Sequence, residues 1–183
     1  MSGANQQERL ILLGWITGFV DGEGCFSIGI IRQPCRSADN IGKFRNQVTC
    51  EFAVTQGAKS ISALHELQAY FGVGQVQSNP RCDNHKEHLY RYVVRKRADL
   101  LEVIIPFFEQ YPLRTSKQHD FHKFACCVRL IDKKHHLTNS GMADILEITQ
   151  TMNRQKSRLD LIRILRDYTP DIPLDEDKAV MKI

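Results

Sequence analysis

Trp15 to Gly24 reads WITGFVDGEG, an apolar helix closed by glycines and two carboxylates. Upstream, Asn5 with Glu8 three residues later is an Asn-started variant of the capping box, so the spacing predicts a helix from about Asn5. Leu10, Ile11, Leu12, Leu13, Trp15, Ile16, Phe19 and Val20 leave that helix almost no polar face, which predicts burial on most sides. Gly14, Gly18 and Gly22 recur every four residues and form one bare stripe. Each glycine inside a helix costs roughly 1 kcal/mol against alanine, and close approach of a second helix is the reason to bear that cost. Asp21 and Glu23 then sit at the helix C-terminus, where the macrodipole disfavours negative charge and a bound cation reverses the penalty. The stretch reads as a packing seam ending in a metal-binding acidic tip. The bland alternative is a core helix with a glycine stop and two solvated acids.

The chain has 183 residues, 42% of them hydrophobic, which is enough for one globular domain with a real core. A net charge of +4 favours an anionic partner. Basic residues cluster at Arg91, Arg95, Lys96 and Arg97, at Lys133 and Lys134, and at Arg154, Lys156 and Arg158. Acids gather in the tail as Asp167, Asp171, Asp175, Glu176 and Asp177. A basic body with an acidic tail fits nucleic acid. The six cysteines have no CxxC spacing and read as reduced thiols of an intracellular protein, from a bacterial cytoplasm or an organelle. Cys82, His85 and His88 lie in a polar hairpin loop without a fourth ligand, so they read as loop rather than zinc site. Neither a secretory leader nor an apolar run of membrane-spanning length is present, so no membrane partner is expected.

Beyond the acidic tip, Cys25 to Gln33 and Arg45 to Thr55 alternate as a long hairpin. Lys59 to Phe71 has helical periodicity and stops at Gly72. Val73 to Ser78 and His88 to Arg95 form a second hairpin, and Ala98 to Phe108 is helical. Thr115 and Gln118 make a capping box for a long helix to about Asp132, with amphipathic segments following at Gly141 to Met152 and Leu159 to Tyr168. The order α-β-β-α-β-β-α with extra C-terminal helices is an α+β fold with an antiparallel sheet. We read residues 1–183 as one domain, with a core over about 8–135 and C-terminal helices and an acidic tail over 136–183.

Ile16 to Gly24, ITGFVDGEG, resembles the nine-residue signature of the LAGLIDADG homing endonucleases, with Gly18, Asp21 and Gly24 identical and Glu23 at the metal-binding acid. The element order is similar to that family's core. The resemblance implies a saddle-shaped sheet and a site-specific DNA endonuclease. Such an enzyme cuts both strands of a pseudo-palindromic site by metal-dependent hydrolysis, leaving short 3′ overhangs. The chain carries one signature, and family members with one signature act as homodimers. Gly14, Gly18 and Asp21 are therefore assigned to a two-fold seam, with Asp21 capping the partner helix. Glu23 is the catalytic metal ligand and the Gly22 carbonyl its companion. Oxygen-only ligation points to Mg2+, with Mn2+ able to substitute and Ca2+ supporting binding but poor cleavage. By the same resemblance Gln56, ending FAVTQ, orders active-site water, and Lys117, in PLRTSK, is the active-site lysine. Lys117 lies in a first helical turn, where a cation is disfavoured unless a phosphate or hydroxide is near. The further basic residue some relatives carry has no clear match near Lys59 and Ser60. Rival readings are an intron RNA maturase, with its host intron RNA as partner, and a catalytically idle DNA-binding protein.

Sequence reading falls to the hairpins. Ser27, Gly29, Ile31 and Gln33 share one face of the first strand, and Arg45, Gln47, Thr49 and Glu51 one face of the second. Gln77 joins them from the third strand and Arg91, Val93 and Arg95 from the fourth, with Lys133 as a phosphate contact. Gln and Arg make bidentate contacts to base edges in the major groove, where a β-ribbon fits, and Ile31 and Val93 are placed to meet thymine methyls. Strands of nine or ten residues span roughly 30–33 Å, so two copies cover about twenty base pairs.

Overall fold

The computed structural model describes residues 3–34, 44–80 and 87–153. A long helix α1 (Gly3–Glu23) runs directly into β1 (Gly24–Pro34), which is followed by β2 (Phe44–Gly57), α2 (Ile61–Phe71), β3 (Gln75–Asn79) and β4 (Leu89–Val94). Next come α3 (Arg97–Asp99), a π turn (Leu100–Ile104) and α4 (Ile105–Gln110), continuous with one another. Two more helices follow, α5 (Lys117–Asp132) and α6 (Asn139–Gln150). This is the expected α+β order. The segment Leu159 to Tyr168 and the Cys82, His85, His88 run lie wholly or partly outside the described residues.

The strands form one antiparallel sheet in the order β1-β2-β4-β3. Because successive side chains of a strand point to opposite faces, Phe26, Ile28, Phe52, Val54, Tyr92 and Val94 all fall on one face, each 3% exposed or less. Helices cover that face: Ile16 and Val20 of α1, Leu64 and Leu67 of α2, Phe108 of α4, and Phe121 and Phe124 of α5 join the same core. Phe26 is its hub, stacked on Phe52 at 5.1 Å and edge-on to Phe108 and Phe121. Met142 and Leu146 of α6 close the far end of the β1–β2 hairpin against Ile30 and Val48.

Several elements depart from the sequence expectations, each for a physical reason. α1 is already helical at Gly3, so Asn5 lies inside the helix and the Asn5–Glu8 capping box does not form its start. Only one side of α1 is buried: Leu10 and Ile11 are 61% and 65% exposed. The helical stretch after β4 starts at Arg97 and continues to Gln110 through the π turn, in which the Ile105 N–H donates to the Leu100 carbonyl. Pro106 explains that turn, because its ring lacks an N–H and clashes with the carbonyl four residues back in an α-helix. The third strand starts at Gln75, since Gly72 and Gly74 both take left-handed backbone angles at the end of α2. α6 starts at Asn139, two residues before the expected Gly141, with the Thr138 hydroxyl accepting from the Gly141 N–H at 3.0 Å.

Candidate active site and nucleic-acid interface

The site assembles where α1 hands over to β1. The last carbonyls of a helix have no partner within it, and here an ammonium group supplies one. Lys117, the first residue of α5, donates from Nζ to the Val20 and Gly22 carbonyl oxygens, each at 3.1 Å. Its charge is disfavoured by the N-terminus of its own helix but favoured by the C-terminal end of α1. The sequence points to a phosphate or hydroxide beside this ammonium, and in the structure two backbone carbonyls take that place. Burial lowers the Lys117 pKa, opposed by the nearby carboxylates of Asp21, Glu23 and Asp120.

Asp21, expected at a partner helix, is committed to its own chain. Its carboxylate accepts from the Arg114 N–H at 2.8 Å, from the Thr115 N–H at 3.1 Å and from the Thr115 hydroxyl at 2.6 Å. Burial alone would raise its pKa, but these donors and the Lys117 charge bring it below the usual carboxylate value. The same contacts replace the expected capping box. Asp21 takes the Thr115 N–H that Gln118 would have taken, and Gln118 Oε1 instead accepts from the Leu113 N–H at 2.9 Å. Sequence reading missed this loop-pinning role because its donors lie 93 and 94 residues away.

Glu23 is exposed, accepts no hydrogen bond among the described residues, and lies close enough to Lys117 to favour its charge. The Gly24–Val54 pairing puts Gln56 two residues beyond the junction of α1 and β1, half-buried on the core-side alternation with Phe52 and Val54. Gln56 makes no hydrogen bond to Glu23 or Lys117 among the described residues. Glu23 and Lys117 are thus brought together at the α1 end, with Gln56 beside them by register alone. No group of three or more His, Cys, Asp or Glu able to hold a metal occurs among the described residues. The Glu23 carboxylate and the Gly22 carbonyl, which accepts from Lys117 Nζ, are oxygen donors of the kind hard cations such as Mg2+ take. Burial pushes the thiols of Cys50 and Cys127 up to about 12 and also raises Cys25, so these three remain protonated.

Gly14, Gly18 and Gly22 are all exposed, and a Cβ added to any of them would meet nothing within 4 Å. The stripe is open in a single chain, flanked by Leu10 and Ile11. On the sheet face away from the helices, the alternation carries Ser27, Gly29, Ile31, Gln47, Thr49 and Glu51, as expected. Ser27 and Thr49 hydroxyls donate across the hairpin to the Glu51 and Gly29 carbonyls. Gln33 and Arg45 pair in the ladder, but their side chains lie outside the described residues. Gln77 pairs with Arg91, and Lys133 is exposed at the end of α5. Val93 corrects an expectation: it is 4% exposed and cannot meet a thymine methyl in this conformation. Arg91 and Arg95 are both ion-paired to Glu51. Arg97, read only as part of a basic cluster, lines a hollow beside Arg95, Gln47 and Ile31.

The family model described as LAGLIDADG endonuclease matches residues 16–128. The chain belongs to that family. A "Probable intron-encoded endonuclease 2" of Neurospora crassa is 30% identical over 75% of this chain and 26% of its own length. This LAGLIDADG chain spans about a quarter of the length of the curated relatives it matches first. Among solved structures, the homing endonuclease I-TnaI is 33% identical with a TM-score of 0.69, over 84% of this chain and 95% of that one. I-SmaMI, solved on uncleaved DNA target with calcium ions, is 28% identical with a TM-score of 0.63, over 77% of this chain and 44% of its own. No helix among the described residues is long and apolar enough to cross a membrane.

Proposed function

We propose that this chain is a homing DNA endonuclease that acts as a homodimer, one copy reading each half of a pseudo-palindromic duplex and both cutting at the centre. The observation that carries the reading is the junction of α1 and β1. There an exposed Glu23 and the Gly22 carbonyl sit beside a half-buried ammonium at the root of a polar sheet face. Pairing two copies along Gly14 and Gly18 brings a second Glu23 to the site, and it covers Leu10 and Ile11. That I-TnaI is matched over nearly its whole length, and I-SmaMI over less than half, supports a chain that supplies one half of the catalytic unit. Glu23 from each copy holds a divalent cation, with Mg2+ as the working ion. Bound there, the ion would supply stabilisation of charge on the phosphoryl oxygens. Lys117, whose ammonium donates to the Val20 and Gly22 carbonyls, would neutralise the departing oxygen, and Gln56 would orient a water. Strand β1 has 11 residues and spans roughly 36 Å, so each half-site is about ten base pairs.

Cleavage selection from a randomised duplex library tests this reading. With Mg2+ the protein should return a cut, pseudo-palindromic consensus with short 3′ overhangs. With a chelator or with Ca2+ the same sites should be bound and left largely uncut. A library that is bound but never cut in Mg2+ or Mn2+ would leave a binding protein, and the endonuclease assignment would fall.

A further inference from the structure

Glu51 is an odd residue to find on a face that meets polyphosphate, and its surroundings give a reason. Both its carboxylate oxygens are taken: Arg91 binds Oε1, and Arg95 Nε donates to Oε2 at 2.7 Å. The register puts Arg91 opposite Thr55 on β2, four residues from Glu51 along that strand, or roughly 13 Å. To reach Glu51, the Arg91 side chain lies flat along the sheet, across the row formed by Ala53 and Val93. That row alternates with the solvent face, yet Ala53 and Val93 are only 5% and 4% exposed. The Arg91 side chain is itself only 22% exposed, and its Nε is buried with no hydrogen-bond partner. Burial and the Glu51 contact both restrict the Arg91 side chain. The cluster of two arginines and one carboxylate carries a single net positive charge.

We propose that Glu51 is a positioning residue for sequence discrimination, anchoring Arg91 and Arg95 at one register of the reading face while cancelling one of their two charges. The inference rests on the DNA-reading role proposed above. A guanidinium fixed in advance contacts one base or phosphate arrangement and meets misfits badly, whereas a free one finds phosphate on any sequence. Cancelling a charge weakens the sequence-independent attraction that counter-ion release drives. Each Glu51 oxygen already accepts from an arginine, so we assign the carboxylate to positioning and the guanidinium groups to reading.

The test compares wild type with Glu51→Gln, Glu51→Asp, Arg91→Ala and the Glu51→Gln/Arg91→Ala double variant. The probes are a random-sequence duplex of about 25 base pairs and a randomised library selected by binding and by cleavage. Glu51→Gln should bind the random duplex several-fold tighter, with a salt slope steeper by about 0.9. Its consensus should lose information at the same positions in both half-sites as that of Arg91→Ala, with no further loss in the double variant. Glu51→Asp keeps the charge but shortens the anchor, so random-duplex affinity should stay near wild type while the consensus still degrades. A wild-type consensus and wild-type random-duplex affinity in Glu51→Gln would reduce the cluster to a surface ion pair. Changes at positions that Arg91→Ala leaves intact would make Glu51 a direct reader. A library bound with a consensus but never cut would sink the endonuclease reading and leave the anchor testable. A library that is neither bound nor cut would sink both.

Discussion

Two acids two residues apart have different duties here, and single substitutions separate them. Glu23 is exposed and Asp21 is pinned to the loop before α5. Glu23→Gln removes the charge proposed to hold the cation but breaks no hydrogen bond among the described residues. Folding and DNA affinity should persist while double-strand cleavage in Mg2+ falls by orders of magnitude; cleavage at the wild-type rate would remove Glu23 from the metal site. Asp21→Asn should instead act on stability. The Asp21 pKa is lowered in the folded state, so its contribution is fully present above the ordinary value of 3.8 and is lost as pH falls through the folded value. At neutral pH the variant should melt about 2–4 °C lower, a modest shift because the carboxylate is largely exposed and screened. The gap between variant and wild type should close as the pH drops well below 3.8. A constant gap in melting temperature across that range would mean that the ionised carboxylate is not what pins the loop. That Asp21 and Glu23 face different surroundings was legible in the sequence, since helical positions two residues apart point about 200° from each other. Asp21's partners were not, because local spacing says nothing about a loop 93 residues onward.

At the scale of elements, periodicity gave the strands and their faces, and tertiary competition decided the ends. The β1–β2 and β3–β4 hairpins follow alternation within about two residues, and the inner-face residues are those the alternation predicts. Caps fared worse. Thr115 and Gln118 have the right types at the right spacing, but a carboxylate from α1 outcompetes the glutamine amide for the same N–H. The π turn hides in the sequence as a proline within an otherwise helical pattern. Arg91 shows the further limit: alternation places it on the outer face, but not the reach to Glu51 that covers Val93. The glycine stripe of α1 is the element with the clearest test. Because a Cβ at Gly18 meets nothing within 4 Å, Gly18→Leu should cost a lone chain nothing and gain helix propensity. The variant should therefore still fold, lose the melting temperature that dimerisation adds to wild type, and sediment as a monomer that does not make double-strand breaks. A Gly18→Leu protein that still sediments as a dimer and cuts would remove α1 from the seam.

At the scale of the whole molecule, the open glycine stripe and the exposed Glu23 both fit the proposed dimer, in which a second acidic helix end faces the first. The family and its fold could be read from the sequence, with ITGFVDGEG carrying the signature, and PLRTSK named Lys117 as the residue to look for beside it. Their convergence on the Gly22 carbonyl could not, since it depends on how α5 packs under α1. If the two copies share one catalytic centre, their activities cannot be independent. Co-expressing wild type with tagged Glu23→Gln in equal amounts yields wild-type, mixed and variant dimers in a ratio of about 1:2:1 when pairing is random. Mixed dimers purified through two tags should bind the selected duplex with wild-type affinity, because the sheets are unchanged. If both Glu23 carboxylates hold the ion or ions that serve each strand, mixed dimers should neither cut nor nick, and the unfractionated mixture should retain about a quarter of the wild-type double-strand cleavage. If each copy's Glu23 serves one strand alone, mixed dimers should nick a supercoiled plasmid carrying the site, on one strand only. Full double-strand cleavage by purified mixed dimers would mean that one carboxylate suffices for both strands, and the paired-helix account of the site would be wrong.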